Sequence, residues 1–173
     1  MSTVSERRLH RTKSTVHRRS FDACPRPLND ALPRVEVVTA FLRRAGKVFL
    51  VRRSGRVGSY RGRWAGVSGY LEKTTPLAQA LREIGEETGL EPADLHLAGR
   101  AAPLEIPAPE LSRVWIVHPF LFDIDDPTAV RLDWESSECA WVEPSRLDEY
   151  ETVPMLSEAL QACLRNEREQ LGQ

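Results

Sequence analysis

The segment from Thr75 to Leu90, TPLAQALREIGEETGL, constrains this chain more than any other. Thr75 has the hydroxyl of a helix N-cap, and Pro76 suits the first helical position, where its missing N–H costs nothing. Leu77, Ala80, Leu81 and Ile84 recur at helical spacing, so one stripe of the helix is expected to be buried. Gly89 is the expected C-terminal stop. Glu83, Glu86 and Glu87 stand three and four residues apart and are expected to project together, away from the apolar stripe. Like charges so placed destabilise an isolated helix by about 0.2–0.5 kcal/mol per pair. They also sit toward the helix end that favours cations. A cluster of hard oxygen ligands is what Mg²⁺ or Mn²⁺ binds, with phosphate oxygens completing the shell. A solvated acidic face is the plain alternative. Arg82 stands beside Glu83, where it can pair with a neighbouring carboxylate and fix its orientation.

The rest of the chain predicts strands around that helix. Val35 to Leu42 and Lys47 to Val51 read as a β-hairpin turning at residues 43–46. Residues 52–63 are basic and glycine-bearing, hence a loop. Trp64 to Leu71 reads as a short strand region broken by Gly66 and Gly69. Strands are expected around Leu95–Ile106 and Val114–Ile124, with Pro103, Pro107 and Pro109 marking a loop between them. Glu138 to Val142 resembles another short strand. Met155, Leu156, Ala159, Leu160, Cys163 and Leu164 mark an amphipathic C-terminal helix. This succession predicts an α/β layered domain with a mixed sheet.

Charge is segregated in a chain whose formal net charge is only -1, which argues against wholesale nucleic-acid binding. Residues 41–63 hold eight Arg/Lys and no acid, whereas residues 125–173 hold twelve acids against four bases. A polarised site is expected. Residues 1–33 form a basic extension, followed by one domain over 34–173. The extension reads as a disordered tail. A transit peptide, or a weak tether to nucleic acid, is the alternative. Cys24, Cys139 and Cys163 suggest neither a disulfide framework nor a zinc site, which fits a cytoplasmic location. No apolar run approaches the roughly 20 residues that span a bilayer. His10, His17, His96 and His118 form no visible metal set, and His118 reads as structural.

The order Arg82-Glu83-Ile84-x-Glu86-Glu87-x-Gly89-Leu90 resembles the second half of the Nudix box of the Nudix hydrolase superfamily. Gly62-x-Trp64, Gly69 and Glu72 resemble the strand and loop entering that box. The resemblance extends in outline from Val35 to Leu164 and implies a mixed β-sheet sandwiched between helices. It further implies a divalent-metal-dependent hydrolase that cuts a phosphoanhydride bond in a nucleoside diphosphate linked to another moiety. Glu83, Glu86 and Glu87 would hold Mg²⁺ or Mn²⁺, with the Gly69 carbonyl as a further ligand. Glu86 and Arg82 would take part in catalysis. Some members draw a base from a loop before a late Trp-containing strand. Glu135, six residues before Trp141, fits that place, and Glu138 is the reserve.

Arg53, Arg61 and Arg63 are the candidate phosphate contacts, since guanidinium matches phosphate oxygens with a planar fork. Tyr60 or Trp64 can stack on a base, although Trp64 equally suits the core. The partner implied is a small nucleotide-like molecule, and many family members are homodimers.

The chain departs from the box in two ways. The loop between Gly69 and Arg82 is one residue short, and Thr74 falls where a glutamate is expected. Ser68 also replaces the first glycine of the usual pair. Glu72 is the candidate substitute for the missing acid. These departures support one rival, a Nudix-fold module that binds a nucleotide or partner without turnover. Isoprenoid diphosphate isomerisation, on a related fold, is less similar because its cysteine and histidine pattern is missing.

Overall fold

The computed structural model describes residues 32–172. The basic extension, with Cys24, His10 and His17, lies almost wholly outside them. Eight strands and two α-helices make up the described part: β1 (Arg34–Arg44), β2 (Lys47–Arg53), β3 (Trp64–Ala65), β4 (Val67–Tyr70), α1 (Pro76–Thr88), β5 (Leu95–Arg100), β6 (Leu104–Ala108), β7 (Arg113–Ile124), β8 (Ser136–Val142) and α2 (Leu156–Leu171).

The long strands β1 and β7 run parallel, paired from Arg34↔Val114 to Arg43↔Asp123. Each has two antiparallel partners along its other edge. β1 pairs with β4 over Val37–Ala40 and with β2 only at Arg43 and Arg44. β7 pairs with β6 near its start and β5 near its end. β2 pairs in turn with β8 and β3. The result is the mixed sheet expected from the sequence.

Alternation along the central strands explains the layers, because successive side chains of a strand point to opposite faces. Val38, Ala40 and Leu42 of β1, with Phe120, Phe122 and Ile124 of β7, pack with Ala80 and Ile84 of α1. Phe41 and Leu121 lie in the other cluster, with Leu156, Ala159, Leu160 and Cys163 of α2. One helix covers each face. Each fully buried Leu, Ile or Phe contributes roughly 1.5–3 kcal/mol of transfer free energy, so these two faces dominate the stability.

Several local expectations are corrected. Pro107 lies inside β6, opposite Val114, and not in a loop. β6 pairs with β7 alone, and an edge strand tolerates a residue without an N–H. Gly69 does not break its strand: β4 runs through it, and the interruption falls at Gly66. The hairpin turn narrows to Ala45-Gly46, both with positive φ, as a tight antiparallel connection requires. Met155 caps α2 instead of joining its buried stripe. Its φ is +60° and it is 40% exposed.

Candidate active site

α1 begins as its sequence dictates. The Thr75 hydroxyl accepts a hydrogen bond from the Ala78 N–H, Pro76 opens the first turn, and Gly89 ends the helix at φ +73°. Ala80 and Ile84 are fully buried, which fixes the rotation of the helix about its axis. That rotation decides where each carboxylate goes.

The three glutamates do not all point away from the core. Glu87 is only 7% exposed and accepts a hydrogen bond from the Ser68 N–H at 3.1 Å. Burial, reinforced by the charges of Glu135, Asp133 and Glu83, pushes its carboxyl up to about 8. Glu83 lies over β4, close enough to Gly69 that a Cβ there would collide with its carboxyl group. It accepts a hydrogen bond from Gln79 Nε2, and burial raises its pKa as well. Glu86 is 63% exposed and stands 3.7 Å from Arg82 Nε. Among the described residues no three acidic, histidine or cysteine side chains are gathered tightly enough to hold an ion as they stand. Glu83 thus lies at Gly69, Glu87 at the Ser68 N–H and Glu86 beside Arg82. Glu83 and Glu87 each accept a hydrogen bond, whereas Glu86, among the described residues, has only the charge of Arg82 as a partner.

Arg82 lies among the acids. Its guanidinium is 2.9 Å from Glu72 and 3.9 Å from Glu83. Glu72 thus brings a carboxylate to Arg82, whereas Thr74 contributes a turn in which its N–H donates to the Glu72 carbonyl. The shortened loop closes through the Glu72 N–H, which donates to Gln79 Oε1 at 3.3 Å.

A cleft of about 390 Å³ opens beside this group, and Glu72, Arg82, Glu83, Glu86 and Gly69 line it. Glu135 and Trp134 line it from the loop before β8, Arg53 from the end of β2 and Arg56 from the basic loop that follows. The two loops are stitched together by the Ser54 N–H donating to the Glu135 carbonyl at 2.7 Å. Burial first, then the charge of Asp133, raises the Glu135 pKa, while Arg53 opposes the rise. Basic and acidic segments distant in sequence are therefore neighbours that line one cleft.

Two of the sequence candidates lie elsewhere. Arg61 Nε donates to the Val57 carbonyl, so it braces the basic loop internally. Arg63 donates to the Thr152 carbonyl and pairs with Glu151 at 3.0 Å. Neither lines the cleft, while Arg56, not singled out from the sequence, does. Glu138 pairs with Arg52 at 2.8 Å and is likewise not among the lining residues. Trp64 packs edge-on against Tyr150 beneath α2. Tyr60 does line the cleft; at φ +50° it accepts a hydrogen bond from Trp115 Nε1 and packs against the β6–β7 wall. His118 pairs with Glu36 at 3.0 Å, away from the helix acids. The aromatic residues that sequence reasoning missed are Tyr70 and Trp134. Their only signal was adjacency, one beside Gly69 and the other beside Glu135.

The mixed sheet between two helices, with a cleft lined by acids from α1 and from two loops, defines an α/β sandwich of the kind found in phosphoanhydride hydrolases. The NUDIX domain family matches residues 32–163, and the chain belongs to that family of pyrophosphohydrolases, which cleave pyrophosphate bonds in nucleoside diphosphate derivatives. Solved structures agree. A MutT protein from Methanosarcina mazei Go1 is 25% identical, with a TM-score of 0.59 and coverage of 80% of this chain and 96% of that one. A Caenorhabditis elegans Ap4A hydrolase binary complex is 17% identical, with a TM-score of 0.61 and coverage of 81% and 98%. A bifunctional NMN adenylyltransferase/ADP ribose pyrophosphatase from Francisella tularensis, complexed with AMP and a manganese ion, is 18% identical. Its TM-score is 0.60, with coverage of 80% of this chain and 43% of that one. No curated protein matches the sequence. Among the described residues no helix is long and apolar enough to cross a membrane.

Proposed function

We propose that this protein hydrolyses a pyrophosphate bond in a nucleoside diphosphate-linked small molecule, using Mg²⁺ or Mn²⁺. The observation that carries the reading is Glu87. It is a carboxylate at 7% exposure with one backbone donor and no basic partner among the described residues. A buried anion is strongly disfavoured without a countercharge, and a divalent cation would supply one. Glu83, Glu86 and Glu87 would hold it, with the Gly69 carbonyl as a further ligand. Oxygen-only donors suit these two hard cations. When bound, the metal neutralises the diphosphate and acidifies a water.

The chain's own residues orient the substrate and move the proton. Arg53 and Arg56, which line the same cleft, hold phosphate oxygens. Arg82, paired with Glu72, keeps the helix carboxylates in place. Glu135 takes the proton from the attacking water, since its raised pKa brings it nearer to the range a general base needs at neutral pH. In-line attack at phosphorus then needs mainly positioning and charge stabilisation.

The test is a hydrolysis panel of nucleoside triphosphates, nucleotide sugars, dinucleoside polyphosphates and capped RNA ends, with products identified by mass. Metal-dependent release of a nucleoside phosphate, abolished by chelation, is the expected result. Tight nucleotide binding with no turnover on any member would instead support a non-catalytic Nudix module.

A further inference from the structure

Among the described residues Tyr70 and Trp134 are the exposed tyrosine and tryptophan side chains, 55% and 58% accessible, and both line the cleft that Glu72, Glu83, Glu86 and Glu135 also line. Aromatic rings left open to water forgo the transfer free energy that burial would give them, so two of them on one cleft call for an occupant. Their positions link them to the acid group. Tyr70 follows Gly69, over which the Glu83 carboxyl lies. Trp134 precedes Glu135, whose charge is felt by Glu83 and Glu87. Neither ring is occupied by a neighbour in a stacked arrangement. Tyr70 meets Trp115 at 6.1 Å between centroids and 46° between planes, a tilted contact that leaves much of the ring open. Trp115 itself is held by its hydrogen bond to the Tyr60 hydroxyl, so it serves as a fixed backing for Tyr70.

From this arrangement we infer that Tyr70 and Trp134 recognise the planar base of the substrate, making them its specificity-determining residues. The inference rests on the pyrophosphohydrolase reading. It adds that affinity comes from the base as well as from the phosphates. Stacking of a base on an aromatic side chain is sequence-tolerant, because every base has a π-face. The two rings therefore select base-bearing diphosphates over base-free ones more than they select among bases.

The experiment compares binding of α,β-methylene ADP and of methylenediphosphonate, both resistant to hydrolysis, by calorimetry in Mg²⁺. The intact protein is expected to bind the nucleotide at least about tenfold more tightly than the base-free diphosphonate. Tyr70→Ala and Trp134→Ala should each reduce that ratio by about tenfold, and Tyr70→Phe should retain it. Thermal melts check that each variant is folded, which these exposed positions favour. Equal affinity of the intact protein for both ligands, or an unchanged ratio in either alanine variant, overturns the inference. Turnover of the hydrolysis panel by the intact protein is a separate readout, so the two readings fail independently.

Discussion

Glu87 is the residue on which burial, charge and chemistry converge. Its folded-state pKa of about 8 lies far above the ordinary carboxylate value of 4.5. Below pH 4.5 the carboxyl is neutral in folded and unfolded chains alike, and its burial is tolerated. As pH rises toward 8 the unfolded chain ionises freely while the folded one resists, so this contribution to stability is progressively lost. Glu87→Gln keeps an acceptor for the Ser68 N–H and removes the charge. The metal-free variant should therefore melt above the parent at pH 8, with the gap closing toward pH 4.5. Melting curves across that range check this, and a gap independent of pH would contradict the burial argument. The same variant, like Glu86→Gln, should lose most turnover, because each removes a proposed cation ligand. At this scale the sequence singled out the three acids as candidates but did not show where they point. Helical spacing placed Glu83, Glu86 and Glu87 together. It could not foresee that β4 would pack over Glu87, since that depends on a partner distant in the chain.

Packing of α1 against β4 is the element-scale event that builds the site. Gly69 permits it by having no side chain beneath the Glu83 carboxyl. In Gly69→Ala the methyl group would meet the end of a flexible side chain, so the fold should tolerate it while Glu83 swings aside. A displacement of about 1 Å can cost roughly a hundredfold in rate. Turnover should therefore fall by about that factor with only a small change in melting temperature, and a fall in stability at unchanged kcat would contradict this account. α1 was readable because its cap, stripe and stop all agree locally. β6 was not, because Pro107 reads as a breaker until an edge position makes its missing N–H harmless. Of the three arginines proposed from the basic stretch, Arg53 lines the cleft, whereas Arg61 and Arg63 do not. Arg61 and Arg63 satisfy carbonyls at Val57 and Thr152, and such internal braces leave no trace in spacing.

The described molecule is held together by two apolar layers and by one ionic clasp joining three elements. Arg43 of β1 forms paired hydrogen bonds with Asp123 of β7 and with Glu167 of α2. Arg43 and Glu167 are 18% and 16% exposed. Arg43→Ala strands Glu167 in a largely enclosed position, so it should cost roughly 3 kcal/mol. Chemical denaturation checks that figure, and nucleotide binding should be unaffected because the clasp lies outside the cleft. The layered mixed sheet was legible from the order of its elements. Its pairings were not: β1 meets its hairpin partner β2 at only two positions and spends its length beside β7, far along the chain. Arg53 and Arg56 from the basic stretch and Glu135 from the acidic one do line the same cleft.

The most direct measurement is Mn²⁺ binding followed by electron paramagnetic resonance at pH 8, with α,β-methylene ADP present. The intact protein should take up the ion, and a Glu86→Gln/Glu87→Gln double variant, shown to be folded, should lose at least about a hundredfold in affinity. Equal uptake by both proteins would mean that these acids do not hold the metal.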